Sequence, residues 1–411
     1  MAMTQVVATY GRPVETIWRA DLVLVAIAVF LSPMNYFRTS LVYITLGDVF
    51  SILALFTMLL GGGIPVRPFG GATWAWYSLV LMLTGGLVIG SAMNGDLLAG
   101  MVVAAQYMFS LIVVPILVLQ RTRAEAILLI KFFVVGMLVV MLHGAWVMEF
   151  HPGDTRFVSP SGRLTSLVER ENAAGALAAI AITFSLWLYF IREIGPILLI
   201  AMLGALGYGL LLTGSNTGFF LAGIGVVALV VFSGSARIML GTLGVLAGII
   251  FVVITWGELF LPEIFLKRVF NALSSGDLAA AGTFSDRMFL IREAYDLTRR
   301  TILIGMGADQ YRVVSAFDVS VHNTYLLLLA EGGLMSLIGQ VGLILTSIVI
   351  GWPNFVSRSN RWLGVLTITI VVMLALVQNG LAHFYGRFWA VPWSLALGVS
   401  LLTDPDPADH S

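Results

Sequence analysis

His322 is the residue whose type and setting best suit it to move a proton. It stands where the longest polar segment meets a strongly apolar run, in Ser320-Val321-His322-Asn323-Thr324-Tyr325-Leu326, and Glu331-Gly332-Gly333-Leu334 follows inside that run. An imidazole with an ordinary pKa of about 6.5 accepts and returns protons at neutral pH. The segment directly before it, from about 257 to 322, carries Lys267, Arg268, Arg287, Arg292, Arg299, Arg300 and Arg312. Guanidinium groups grip phosphate oxygens in a planar, bidentate fork. An arginine cluster over a membrane run therefore points to an anionic, lipid-linked ligand. Two readings without chemistry compete: a histidine satisfied at a helix N-terminus, and an amphipathic interface helix with snorkelling arginines.

Arg163, Arg287 and Arg292 are the best placed by sequence. Thr283-Phe284-Ser285-Asp286 reads as a helix start capped by Ser285 or Asp286, with the helix running through Arg300. Arg287 and Arg292 are then only loosely on one side, and Glu293 is free to pair with Arg287 or Arg300. His383, Tyr385 and Arg387 sit together in a late connection and can line the same site. Glu331 lies nine residues beyond His322, roughly 13 Å along a continuous helix, and an ionisable group at that depth is functional or paired. The Gly214-Ser215-Asn216-Thr217-Gly218 turn is a weak anion site through a helix N-terminus, and more simply a tight turn. No carboxylate or histidine spacing matches a metal motif, so no catalytic metal and no cofactor are expected. There is neither a glycine-rich phosphate loop nor a Ser/His/Asp signature.

These residues need a scaffold, and the composition names it. The 411 residues are 59% hydrophobic and 11% charged, with mean hydropathy +0.97; soluble chains carry about 25% charged residues. The apolar residues come in continuous blocks of the length that crosses a bilayer as helix, without the alternation of a barrel. The fold expected is an all-α, polytopic transmembrane bundle of about twelve spans forming one integral membrane domain over 1–411. The spans fall near 21–34, 44–60, 74–92, 97–119, 125–148, 171–191, 196–212, 217–233, 237–256, 323–351, 362–380 and 384–403, with a break near Gly332-Gly333. Segments 61–73 and 353–361 read as loops from their glycine, proline and polar content. Zero formal net charge gives no reason to expect nucleic acid, and the absence of cysteine excludes disulfides and thiolate metal sites. The first apolar run lacks a cleavage site and reads as a membrane helix.

Orientation follows from the short connections. With the N-terminus cytoplasmic, Arg12, Arg19, Arg67, Arg121, Arg123, Arg192, Arg237, Arg358 and Arg361 lie inside, while connections near 92–96 and 213–217 contain no Lys or Arg. Both termini then face the cytoplasm. The loop at about 149–170, with Arg156, Arg163 and Arg170, and the partly helical segment 257–322 lie outside. Positive charge kept there against the usual bias calls for a reason of its own.

The pattern resembles the bacterial family of O-antigen ligases and polysaccharide polymerases. His322-Asn323-Thr324-Tyr325-Leu326 through Glu331-Gly332-Gly333-Leu334 is similar to its His-Asn-x-Tyr-Leu…Glu-x-Gly-Leu signature. Asp286-Arg287 and Ile304-Gly305-Met306-Gly307 resemble its arginine and glycine positions, and Arg163-Leu164 with Glu171-Asn172 its Arg-Leu…Asn pattern. One departure is Ser215-Asn216, where the family often carries Ser-Arg. The resemblance implies a metal-independent glycosyltransferase of the bacterial inner membrane with a periplasmic site. Its donor would be a glycan on undecaprenyl diphosphate, and its acceptor a glycan or lipid A core. His322 would act as base, and Arg163, Arg287 and Arg292 would hold the diphosphate. Asn172, Asn323, Tyr325, Glu331, His383 and Arg387 would support them. A polymerase is slightly favoured over a ligase. A secondary transporter or lipid flippase is the reading from another class; the internal repeats and paired broken helices that mark transporters are not evident, and the polar groups gather at one face.

Overall fold

Lipid gives backbone amides and carbonyls no partner, so an apolar block closes its hydrogen bonds internally as helix. The computed structural model, which describes residues 19–38, 44–266 and 284–403, shows helix in each of the twelve expected stretches. In chain order the long helices are α1 (Ala20–Leu31), α2 (Leu46–Leu60), α3 (Thr73–Asn94), α4 (Leu97–Val118) and α5 (Arg123–Phe150). They continue as α6 (Glu171–Phe190), α7 (Pro196–Thr213), α8 (Asn216–Phe232), α9 (Ala236–Phe260) and α10 (Phe284–Thr301). The last are α11 (Thr324–Val356), α12 (Arg361–Val377) and α13 (Arg387–Gly398). Among the described residues there is no β-strand, and eight helices are long and apolar enough to cross a membrane; α1, α2 and α8 are shorter apolar helices.

The interior is built around α6. Its alanine-rich first half, Asn172-Ala173-Ala174-Gly175-Ala176-Leu177-Ala178-Ala179, lets α7, α8 and α12 approach closely, the small-residue packing that substitutes for hydrophobic drive between membrane helices. Trp187 then donates to the Trp362 carbonyl at 2.8 Å, tying α6 to the start of α12. At the other extreme none of residues 236–256 of α9 is buried; this helix packs at the bundle edge, on α8.

The two ends of the bundle differ in chemistry. At one end Arg19 pairs with Glu125 at 2.8 Å, and buried Arg121 pairs with Asp21 at 2.8 Å while donating to the Leu117 carbonyl. A cavity of about 270 Å³ there is lined in part by Arg19, Asp21 and Arg121. These guanidiniums are held by neighbouring carboxylates, and the cavity lies away from His322.

The other end is shaped by α11. Asn323 caps it, its side-chain oxygen accepting from the Leu326 amide at 3.0 Å. The expected break is present: Gly333 has φ +70°, a left-handed value that L side chains rarely adopt. Beyond it the helix continues through Pro353 to Val356, so the connection expected over 353–361 shrinks to its second half. Proline removes one amide donor without ending this last turn, and the Asn354 side chain anchors it by donating to the Ser400 carbonyl at 3.1 Å.

The segment expected to stand as an extracytoplasmic loop before α11 is helical over α10, which begins at Phe284; Ser285 and Asp286 therefore lie in its first turn and not at its cap. Its return, Ile302–Tyr311, packs against the α11 kink. Leu334 donates to the Ile302 carbonyl at 2.7 Å, Met306 to the Ala330 carbonyl at 2.8 Å and Gly307 to the Glu331 carbonyl at 2.9 Å. The α3 end holds the other side: Asn94 donates to the Gly305 carbonyl at 3.0 Å, and Ser91 accepts from the Ala308 amide at 2.9 Å. A Cβ on Gly305 would collide with the Glu331 carbonyl, so this crossing requires glycine.

Candidate active site

Four connections meet at the His322 end. Asn323 at the start of α11 donates to the Asn379 side chain at 3.4 Å, bringing in the turn after α12. A Cβ on Gly380 in that turn would lie 3.7 Å from the Thr217 hydroxyl, at the start of α8. Ser215 caps α8, accepting from the Gly218 amide at 3.1 Å, and donates to the Asn172 side chain at 3.3 Å near the start of α6. Thr324 donates to the Leu381 carbonyl at 3.0 Å. His322 itself is exposed, accessible to a substrate from this end.

His383 is the second histidine of the cluster. Burial pushes its pKa down to about 4; Arg170, Arg312 and His322 push the same way, and Asp309 opposes them. It is therefore neutral at physiological pH and able to accept or donate one hydrogen bond without a charge. Its ring lies 5.3 Å from that of Tyr385, which in turn meets Tyr107 edge-on at 5.6 Å. His383 thus sits in the field of His322, and Arg170, Asp309 and Arg312 belong to the cluster although the sequence singled out none of the three. Arg312 is gripped by Asp309 through two hydrogen bonds of 2.6 Å, an exposed, pre-oriented guanidinium.

The arginines of the 149–170 loop have three fates. Arg156 pairs locally with Asp154, at 2.9 and 2.6 Å, and holds that carboxyl down to about 2. Arg163 is buried, with Nε donating to the Thr213 carbonyl at 2.8 Å, Nη1 to Glu171 at 3.1 Å and Nη2 to Asn172 at 2.6 Å. These contacts join the loop to the end of α7 and the start of α6, and they also occupy Asn172. Arg170 is exposed, next to Glu171 in sequence, and its charge reaches His383.

Of the two α10 arginines expected to hold the diphosphate, Arg292 is exposed; Arg287 lies in the helix, and its side chain is outside the described residues. Glu293 has its expected partners, Arg287 and Arg300, among the side chains outside the described residues. It accepts from the Ser315 hydroxyl at 2.8 Å, the Ala316 amide at 2.7 Å and the Tyr311 hydroxyl at 3.1 Å, because the chain after Ile302 folds back alongside α10. Burial, with Glu293 adding to it, raises the Tyr311 pKa above its ordinary value.

The remaining expected residues are placed as follows. Tyr325 donates to the Ala375 carbonyl at 2.8 Å and joins α11 to α12. Arg387 lies 3.0 Å from buried Asp48 and over the Phe109 ring at 5.4 Å, joining α13 to α2 and α4. Glu331 is buried, and its Oε1 accepts from the Tyr311 amide at 3.3 Å. The missed arginines left one signal in the sequence, a positive charge in a connection expected to face outward; which of those charges converge is decided by packing between connections far apart in the chain.

No curated protein matches the chain. The matching family model spans residues 199–341, from α7 into α11, and so contains Arg287, His322 and Glu331 but not Arg163, Arg170, His383 or Arg387. That model is described as Wzy_C, O-Antigen ligase, and over these residues the chain is similar to that family.

Proposed function

We propose that this membrane glycosyltransferase, of the O-antigen ligase and polymerase type, transfers a glycan from undecaprenyl diphosphate at the periplasmic face of a bacterial inner membrane. The observation that carries the reading is the meeting of exposed His322 with His383, Arg170 and the Asp309–Arg312 pair at one end of the bundle. The acceptor hydroxyl attacks the anomeric carbon, the carbon–oxygen bond to the diphosphate breaks, and the electron pair leaves with the diphosphate. The hydroxyl proton passes to a ring nitrogen of His322. Arg287 and Arg292 on α10 hold the diphosphate and offset the charge developing on it, with Arg170 and Arg312 beside them. Arg163 keeps Asn172 and the start of α6 in place. Positioning and charge stabilisation supply most of the barrier reduction, and no metal is needed for it.

Within that chemistry the polymerase reading is favoured, joining repeat units of an O-antigen or exopolysaccharide. The ground is Ser215-Asn216, where the family often carries an arginine; here Ser215 serves as a helix cap. Purified protein given only a lipid-diphosphate-linked repeat unit should build a ladder of longer lipid-linked chains. A product that appears only when lipid A core is added would make it a ligase.

Two further outcomes follow. A base must be unprotonated, so kcat/KM should fall as pH drops through the His322 titration, and that acid limb should vanish in His322→Ala. His383→Gln should leave the limb in place, because His383 is already neutral above about pH 4. The chain contains no cysteine, so single cysteines report topology cleanly. Positions Pro160 and Ser275 should react with an impermeant maleimide from the periplasm, and Thr122 and Ser235 only after the membrane is opened. Protection of Ser275 would put the α10 arginines on the wrong side for the donor.

A further inference from the structure

We infer that Glu331 is a positioning residue that clamps the Ile302–Tyr311 strap and thereby sets the Asp309–Arg312 pair against the two histidines; the functional part of this rests on the reading above. Glu331 is 3% exposed on α11, among apolar neighbours where a leucine would bury at far lower desolvation cost. Its carboxyl faces the backbone amides of Asp309 and Tyr311, with Tyr311 at 3.3 Å, and carboxyl oxygens can accept from two such donors. These residues flank Gln310, and Tyr311 directly precedes Arg312. The same residue's carbonyl accepts from Gly307 at 2.9 Å. One residue therefore holds the strap at both levels, by main chain at Gly307 and by side chain at Tyr311. From there Asp309 fixes Arg312 through its two 2.6 Å bonds, and both charges act on His383. Nothing else on α11 bonds to residues 308–311 through a side chain among the described residues.

The absence of cysteine allows a readout independent of activity. Ala308, within the strap, is fully buried, so Ala308→Cys in full-length protein should react slowly with a maleimide. Adding Glu331→Leu should speed that labelling at least tenfold, and adding Glu331→Gln, which keeps an acceptor oxygen, should not. In the cysteine-free background, Glu331→Leu should lower kcat at least tenfold per folded molecule with donor KM changed less, and Glu331→Gln should stay within about threefold of wild type. Unchanged labelling in Glu331→Leu would overturn the clamp. Faster labelling with normal kcat per folded molecule, or equal damage by Gln and Leu, would overturn the positioning role. If wild-type protein transfers no glycan, the proposed function fails, while the labelling still decides the clamp.

Discussion

His322→Ala should lower glycan transfer by about 10²–10⁴-fold, the range lost with a general base, while the protein remains in the membrane at wild-type abundance. The side chain is exposed at the mouth of α11, and the start of that helix is secured by other residues: Asn323 caps it, and Thr324 and Tyr325 bond across to Leu381 and Ala375. Removing the imidazole should therefore cost chemistry and little stability. His383→Ala makes the contrast. That ring is partly enclosed and tilted against Tyr385, so its loss should reduce transfer less and lower the thermal midpoint more. Transfer from a lipid-diphosphate donor, read beside a detergent thermal melt, separates the two. Wild-type product from correctly inserted His322→Ala would reduce His322 to an interface anchor.

The parts of this arrangement legible in the sequence are those that depend on local pattern. Continuous apolar blocks dictated helices wherever lipid would leave the backbone unpaired, and the Gly332-Gly333 pair inside one block marked the kink that Gly333 makes at φ +70°. The mixed polar and apolar stretch after Phe284 marked α10. What was not legible depends on juxtaposition. Arg156, Arg163 and Arg170 look alike in the chain, yet one pairs locally, one is buried in a three-way lock, and one faces His383. Glu293 takes donors from Tyr311, Ser315 and Ala316, residues of the returning chain that helical spacing does not point to. The Glu293 contacts turn on where the chain after Ile302 folds, and the arginine fates on how the 149–170 loop meets α6 and α7, matters of tertiary packing and not of spacing.

Arg163 and Arg287 should fail in opposite ways, and that contrast tests how the arginines divide their work. Arg163 is 5% exposed and spends three nitrogens on Thr213, Glu171 and Asn172. Removing one partner of a buried pair costs roughly 3–5 kcal/mol, and Glu171 is 27% exposed, so water recovers part of that. Arg163→Ala should accordingly lower the thermal midpoint and the amount of folded protein, with transfer per folded molecule falling less. Arg163→Lys keeps the charge but not the fork, and should resemble Ala more than wild type. Arg287 should show the reverse: an unchanged melt, Arg287→Ala nearly inactive, and Arg287→Lys strongly impaired because an ammonium cannot grip a diphosphate in two-pronged geometry. Attraction of anionic headgroups alone would let lysine work almost as well. The same Lys swap at Arg268, in the stretch outside the described residues, should matter little. Full activity of Arg287→Lys would remove the bidentate role, and equal damage at Arg268 and Arg287 would trace both to misfolding of the segment. A normal melt with dead chemistry in Arg163→Ala would return Arg163 from the scaffold to the donor site.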